Sequence, residues 1–143
     1  MSTLLKSRAT GAVLTAIIVG LTLATAYIHF TLGGLLFLLN ALGYLGLAAL
    51  IVIGAAAPMP VVRRFSWFPR VALFGYTLTT IVAWAIMGPY FSLAYIAKGI
   101  EVALLVLLTV DVVRVYGSPA GLVRSALASV APFVPERFRP ETA

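Results

Sequence analysis

Apolar residues in this chain come in four long runs, parted by brief polar or proline-bearing breaks, and not in the alternation of a strand or the narrow stripe of a soluble helix. The runs cover about Gly11 to Leu32, Leu35 to Ala57, Pro69 to Tyr90 and Phe91 to Tyr116. A helix rises 1.5 Å per residue, so about 20 apolar residues cross the roughly 30 Å hydrocarbon layer of a bilayer. The pattern predicts an all-α membrane protein. Its transmembrane domain, 1–116, is an up-down bundle of four spanning helices at about 11–32, 35–57, 69–90 and 91–116.

The breaks carry their own signals. Gly33 and Gly34 suit a tight turn between the first two helices, and Pro58 and Pro60 end the second, because proline lacks the amide hydrogen and clashes with the preceding turn. A basic, aromatic loop follows from Arg63 to Arg70, with Pro69 suited to the first position of helix three. That helix has the shortest apolar stretch, Val71 to Met87. Trp67, Phe68, Trp84 and Tyr90 are expected to anchor it at headgroup level while Arg70 snorkels outward. The next turn is only Gly88-Pro89-Tyr90.

Beyond Gly117, Ser118-Pro119 fits an N-cap with proline at the first helical position. Leu122, Val123, Ala126, Leu127 and Val130 then recur at helical spacing, with Arg124, Ser125 and Ser129 expected on the wet side. Region 117–143 therefore reads as a short amphipathic helix, at the cytoplasmic membrane interface or packed on the inner turns, followed by a proline-rich tail from Pro132. A competing reading of the first run is a signal peptide, since Lys6 and Arg8 precede it and Ala24-Thr25-Ala26 resembles a cleavage site.

Composition agrees with hydrocarbon surroundings. The chain is 62% hydrophobic and 10% charged with a mean hydropathy of +1.10, against about 25% charged residues in soluble domains. It has no cysteine, which excludes disulfides, thiolate metal sites and cysteine nucleophiles. The net charge of +6 sits beside apolar runs, so the bilayer's anionic headgroups, not nucleic acid, are its natural partner. Lys6, Arg8, Arg63, Arg64, Arg70, Arg114, Arg124, Arg137 and Arg139 fall on one side of the predicted threading, and the two opposite turns hold no Lys or Arg. The positive-inside rule then puts both termini in the cytoplasm, in a membrane of the bacterial plasma-membrane type.

Helix four is the chemically distinct one, with Lys98, Glu101, Asp111 and Arg114 in or beside its apolar length. Lys98 and Glu101 are three apart and project from one side. An unpaired charge at that depth costs at least about 2.5 kcal/mol, so these groups should pair inside the bundle, with His29 and Asn40 turned toward them. Together His29, Asn40, Lys98 and Glu101 form either a polar pocket for a proton or small ligand, or a structural ion pair with two interhelical hydrogen bonds. Asp111 and Arg114 read as a solvated interfacial pair, facing away from Glu101. Gly20 with Ala24, Gly43 with Gly46 and Ala49, and Gly99 with Ala103 mark surfaces for close helix packing, within the chain or against a partner.

His29 is the only histidine, so one chain cannot hold a haem between two, and no phosphate-cradling loop, metalloprotease pair, nucleophile elbow or EF-hand is present. No catalytic or metal-ligating set is identified, and the cofactor is left open. The first functional reading is a non-enzymatic small membrane subunit of a larger complex or a homo-oligomer. Its lipid or partner contacts would be Arg63, Arg64, Trp67, Arg70, Arg124 and Phe138. The second is a small proton-coupled transporter or permease using the outer-half pocket of His29, Asn40, Lys98 and Glu101, and the third a binder of a lipid-like cofactor such as a quinone or carotenoid.

Overall fold

The computed structural model describes residues 7–133; Phe138, the rest of the tail from 134, and Lys6 lie outside the described residues. The described residues are helical and contain no strand. Helix α1 spans Arg8–Leu32, beginning earlier than its apolar run because the Ser7 hydroxyl accepts the Thr10 amide at 3.0 Å and caps the helix. Gly33 and Gly34 follow with φ of 71° and 83°, a backbone region closed to most side chains, and the chain turns directly into α2, Leu35–Ala56.

The stretch expected to be a loop instead contains a helical turn, α3, Pro60–Arg64, with the proline that ends α2 serving as its first residue. Helix α4 runs Trp67–Met87, two residues ahead of the expected start at Pro69. Proline is tolerated there because the first-turn amides of a helix have no partner within it. Helix α5 spans Ser92–Tyr116 and ends at Gly117, which has φ of 78° and donates its amide to the Val113 carbonyl at 2.9 Å. Helix α6, Pro119–Val130, has the expected cap, the Ser118 hydroxyl accepting the Gly121 amide at 3.0 Å, and runs into a 3₁₀ turn over Ala131–Phe133.

Three helices, α1, α2 and α4, are long and apolar enough to cross a membrane. Helix α5 has 25 residues, but its placement depends on where its four ionisable side chains go. It lies along α1 and α4, while α2 packs closely on α1 and more sparsely on α4. Leu14, Ile18, Ala26, Tyr44, Ile51, Leu73, Leu104 and Leu108 form the core between them. Outside that core the surface stays apolar: Leu36 is 73% exposed and Ile86 75%. So broad an apolar surface suits lipid and not water.

The small residues divide. A Cβ on Gly43 would collide with the Tyr76 hydroxyl, so the glycine admits that ring to α2. Gly20, Gly46 and Gly99 have no atom within 4 Å of such a Cβ and open outward. On α6 one side chain departs from expectation. Ser129, expected in water, is buried and faces α4, whereas Val123, Leu127 and Val130 are exposed. The cause is local: Ser129 Oγ accepts the Trp67 indole N–H at 2.9 Å and its carbonyl accepts Arg64 Nε at 2.7 Å, and these bonds hold α6 on the α3–α4 corner.

Candidate functional site

Helix α5 delivers Lys98 and Glu101 to the interior as their spacing predicts, with Lys98 Nζ donating to Glu101 Oε2 at 2.5 Å. Glu101 is wholly buried. Buried carboxylates need hydrogen-bond donors on their remaining lone pairs, and the neighbouring helices supply them. Thr25 of α1 donates to Glu101 Oε1 at 3.1 Å, and Thr80 of α4 donates to Oε2 at 3.0 Å.

Proton counting orders the rest. The Thr80 hydroxyl also lies 2.8 Å from the Thr77 carbonyl and 2.9 Å from the Tyr44 hydroxyl, yet it has one proton. A bond to a carboxylate is the stronger, so that proton goes to Glu101 and Tyr44 donates into Thr80. The result is a relay from Tyr44 through Thr80 to Glu101. Thr77, one turn earlier, has the only buried side-chain oxygen among the described residues without a hydrogen-bond partner. These roles separate in mutants. Thr80→Val should cost about 1.5 to 3 kcal/mol by removing a donor to a buried charge. Thr77→Val, which removes an unpaired hydroxyl, should leave the thermal midpoint in detergent unchanged or raised.

His29 is buried on α1, and its Nδ1 lies 2.8 Å from the Thr25 carbonyl. A carbonyl only accepts, so Nδ1 carries the proton and Nε2 is left bare in the neutral ring. Nε2 stands 3.8 Å from Glu101 Oε1, too far for a hydrogen bond.

Above the ion pair lies a cavity of about 320 Å³, bounded by α1, α2, α4 and α5 and lined by His29, Asn40, Tyr76, Thr80 and Lys98 among mostly apolar neighbours such as Leu36 and Met87. Lys98 uses two of its three N–H bonds, on Glu101 and, at 3.4 Å, on the Thr80 carbonyl. The third remains for the cavity that it lines. Asn40 offers only its carbonyl, to the Tyr76 hydroxyl at 3.2 Å, and its carboxamide makes no hydrogen bond among the described residues. Lys98 and Glu101 cancel, so the polar end of the cavity presents donors and an acceptor without net charge.

Of the four predicted site residues, the structure joins His29, Lys98 and Glu101 and leaves the Asn40 side chain on the cavity wall. Thr25, Tyr44 and Thr80 escaped the sequence reading. Their signal was present, since Thr25 precedes His29 by one helical turn and Thr77 and Thr80 interrupt an apolar run by three residues.

Below Glu101 come the buried hydroxyls of Thr22 and Thr77 and then an apolar layer. Leu104 and Leu108 of α5, Leu73 of α4 and Ile18 of α1 fill it, each at most 2% exposed. The next ionisable group is Asp111, expected to be solvated and found 2% exposed. Arg70, expected to snorkel toward lipid, turns inward instead: its Nε donates to Asp111 Oδ2 at 2.7 Å and its Nη1 to the Ser66 carbonyl at 2.6 Å. Arg114 donates to Asp111 Oδ1 from Nη2 at 2.9 Å and lies against Gly11 of α1. A carboxylate shared by two guanidiniums is better satisfied inside than at the interface, which explains both departures. Among the other predicted contact residues, Trp67 and Arg64 are tied to Ser129, while Arg63 and Arg124 are exposed. No family model, curated protein or solved structure matches this chain.

Proposed function

We propose that this chain is a non-enzymatic integral membrane protein that seats a lipid-like molecule with a neutral, oxygen-bearing head in the cavity above Lys98. One observation carries the reading: the closed end of an otherwise apolar cavity holds hydrogen-bonding capacity that the protein leaves unused, at Lys98 Nζ, His29 Nε2 and the Asn40 carboxamide. A carbonyl or hydroxyl head, as in quinones or hydroxylated carotenoids, matches those groups, and an apolar tail matches the walls. At about 320 Å³ the space suits a single ring or head group and is at the small end of ligand sites.

In this reading α5 is the fourth spanning helix of an up-down bundle. Its charges are tolerated because all four are paired inside. The turns at Gly33–Gly34 and Gly88–Phe91 carry no Lys or Arg, whereas Arg8, Arg63, Arg64 and Arg124 gather at the other end. The positive-inside rule then sets both termini in the cytoplasm of a bacterial plasma membrane, with the cavity in the outer leaflet and α6 at the inner interface.

Organic extraction of the protein purified from its native membrane should yield one amphiphile in near-stoichiometric amount. Ala83→Phe, which fills the cavity from α4 without touching the ion pair, should remove that amphiphile while the fold is kept. Absence of any enriched amphiphile from the wild-type extract defeats the reading.

A second reading, membership in a larger assembly or a homo-oligomer, draws on Gly20, Gly46 and Gly99, which face outward with open space beside them. Small residues on a lipid-facing surface let a neighbouring helix approach closely. Stoichiometric recovery of another membrane protein, or of a discrete oligomer, from native membranes tests it. Proton-coupled transport draws least support, because the apolar layer of Ile18, Leu73, Leu104 and Leu108 interrupts any polar path from Glu101 to Asp111.

A further inference from the structure

A second cavity, of about 350 Å³, lies at the opposite end of the molecule, where α6 meets the α3–α4 corner and the end of α5. We propose that it binds a phosphate group, presented by an anionic lipid headgroup or as a free anion, between Arg63, Arg64 and the hydroxyls around them.

The geometry begins with Arg64. Its Nε is committed to the Ser129 carbonyl at 2.7 Å, and its guanidinium lies over the rings of Phe65 and Phe133 at 5.7 and 5.2 Å. This fixes the plane of the fork and leaves its Nη atoms for another acceptor. The Arg63 side chain, exposed and lining the same cavity, makes no hydrogen bond or ion pair among the described residues. Ser125 lines it with a hydroxyl that likewise makes no hydrogen bond among them. Tyr116 and Ser66 share one hydrogen bond at 3.2 Å between two hydroxyls, so one of those protons is also unspent.

No described carboxylate answers these donors. The sequence has four acidic residues. Glu101 and Asp111 are held in ion pairs inside the bundle, and Glu136 and Glu141 lie outside the described residues. Two guanidiniums and neutral hydroxyls around a space with no matching acid among the described residues suit a tetrahedral anion, whose oxygens accept from several directions at once. On the opposite face of α6, Val123 and Leu127 are exposed by 53% and 63%, an apolar surface suited to the membrane interface.

The test uses the full-length protein in a neutral detergent, with its thermal midpoint followed against inorganic phosphate, phosphatidylglycerol or phosphatidylcholine. Phosphatidylglycerol should raise the midpoint and phosphatidylcholine should not. Arg63→Gln should bind about tenfold more weakly, the loss of one charge-assisted bond, with its unliganded midpoint unmoved since the Arg63 side chain holds nothing among the described residues. Arg8→Gln, an equal charge change at an exposed residue outside the cavity, should respond as wild type. If inorganic phosphate reproduces the whole shift the site takes the free anion, and if only phosphatidylglycerol acts it takes the headgroup; either supports the site. A wild-type protein that responds to neither, or an Arg8→Gln loss equal to that of Arg63→Gln, overturns it.

Discussion

Replacing Glu101 with leucine should destabilise the protein more than any other single substitution within the described residues, by about 3 to 5 kcal/mol, because it strands an ammonium in the interior. Lys98 has only the Thr80 carbonyl at 3.4 Å and the cavity to fall back on. Lys98→Met should cost less, since Glu101 keeps the Thr25 and Thr80 hydroxyls. The double variant Lys98→Met/Glu101→Leu removes both charges, and it should recover most of the loss, as buried ion pairs exchanged for apolar side chains of similar volume often do. The order of the three variants matters more than any single value. A coupling between the two sites of about 0.5 to 3 kcal/mol is expected from the thermal or SDS-unfolding midpoints. A double variant as unstable as Glu101→Leu alone would mean that Glu101 acts chiefly through Thr25, Thr80 and His29, and that the ion pair is incidental.

If the Lys98–Glu101 charges are nearly dispensable for stability, their presence calls for another reason, and the cavity supplies one. An apolar pair at these positions would leave His29 and Asn40 as the only polar groups at its closed end. The double variant should therefore keep the fold and lose the amphiphile, which separates the ligand role of Lys98 from its structural one.

The sequence made the helices legible because their signals are one-dimensional: run length, proline and glycine positions, and the Ser118-Pro119 cap all act within a few residues. The pairing of Lys98 with Glu101 was legible for the same reason, since both lie on one helix at a fixed spacing. What escaped was partner choice between helices. Arg70 and Asp111 are 41 positions apart, and nothing in either neighbourhood distinguishes an arginine that snorkels to a headgroup from one that turns inward onto a carboxylate. Ser129 was assigned to water for being polar, but a hydroxyl can satisfy two bonds locally. It donates to the Ala126 carbonyl at 2.7 Å and accepts from Trp67, which makes it an inexpensive residue to bury. Helical periodicity places a side chain on a face and cannot say which face a partner will claim.

Asp111→Leu should be the second most damaging change, and a different kind of damage. Its carboxylate draws Arg70 of α4 and Arg114 of α5 together, with Arg114 against Gly11 of α1, so one acid ties three helices near their basic ends. Removing it leaves two guanidiniums side by side. Their side chains are 16% and 17% exposed, however, against 10% for Lys98, and their length lets them swing toward headgroups and water. The expected cost is therefore lower, about 2 to 3 kcal/mol, below the full penalty for stranding a buried charge. It should depend on surroundings in a way that Glu101→Leu does not. Salt screens interactions between groups near water far more than buried ones, and anionic lipid can accept freed arginines. Phosphatidylglycerol should restore part of the Asp111→Leu midpoint and none of the Glu101→Leu loss. Equal rescue of both variants would show that the two ionic clusters share one environment, contrary to the apolar layer of Leu73, Leu104 and Leu108 between them.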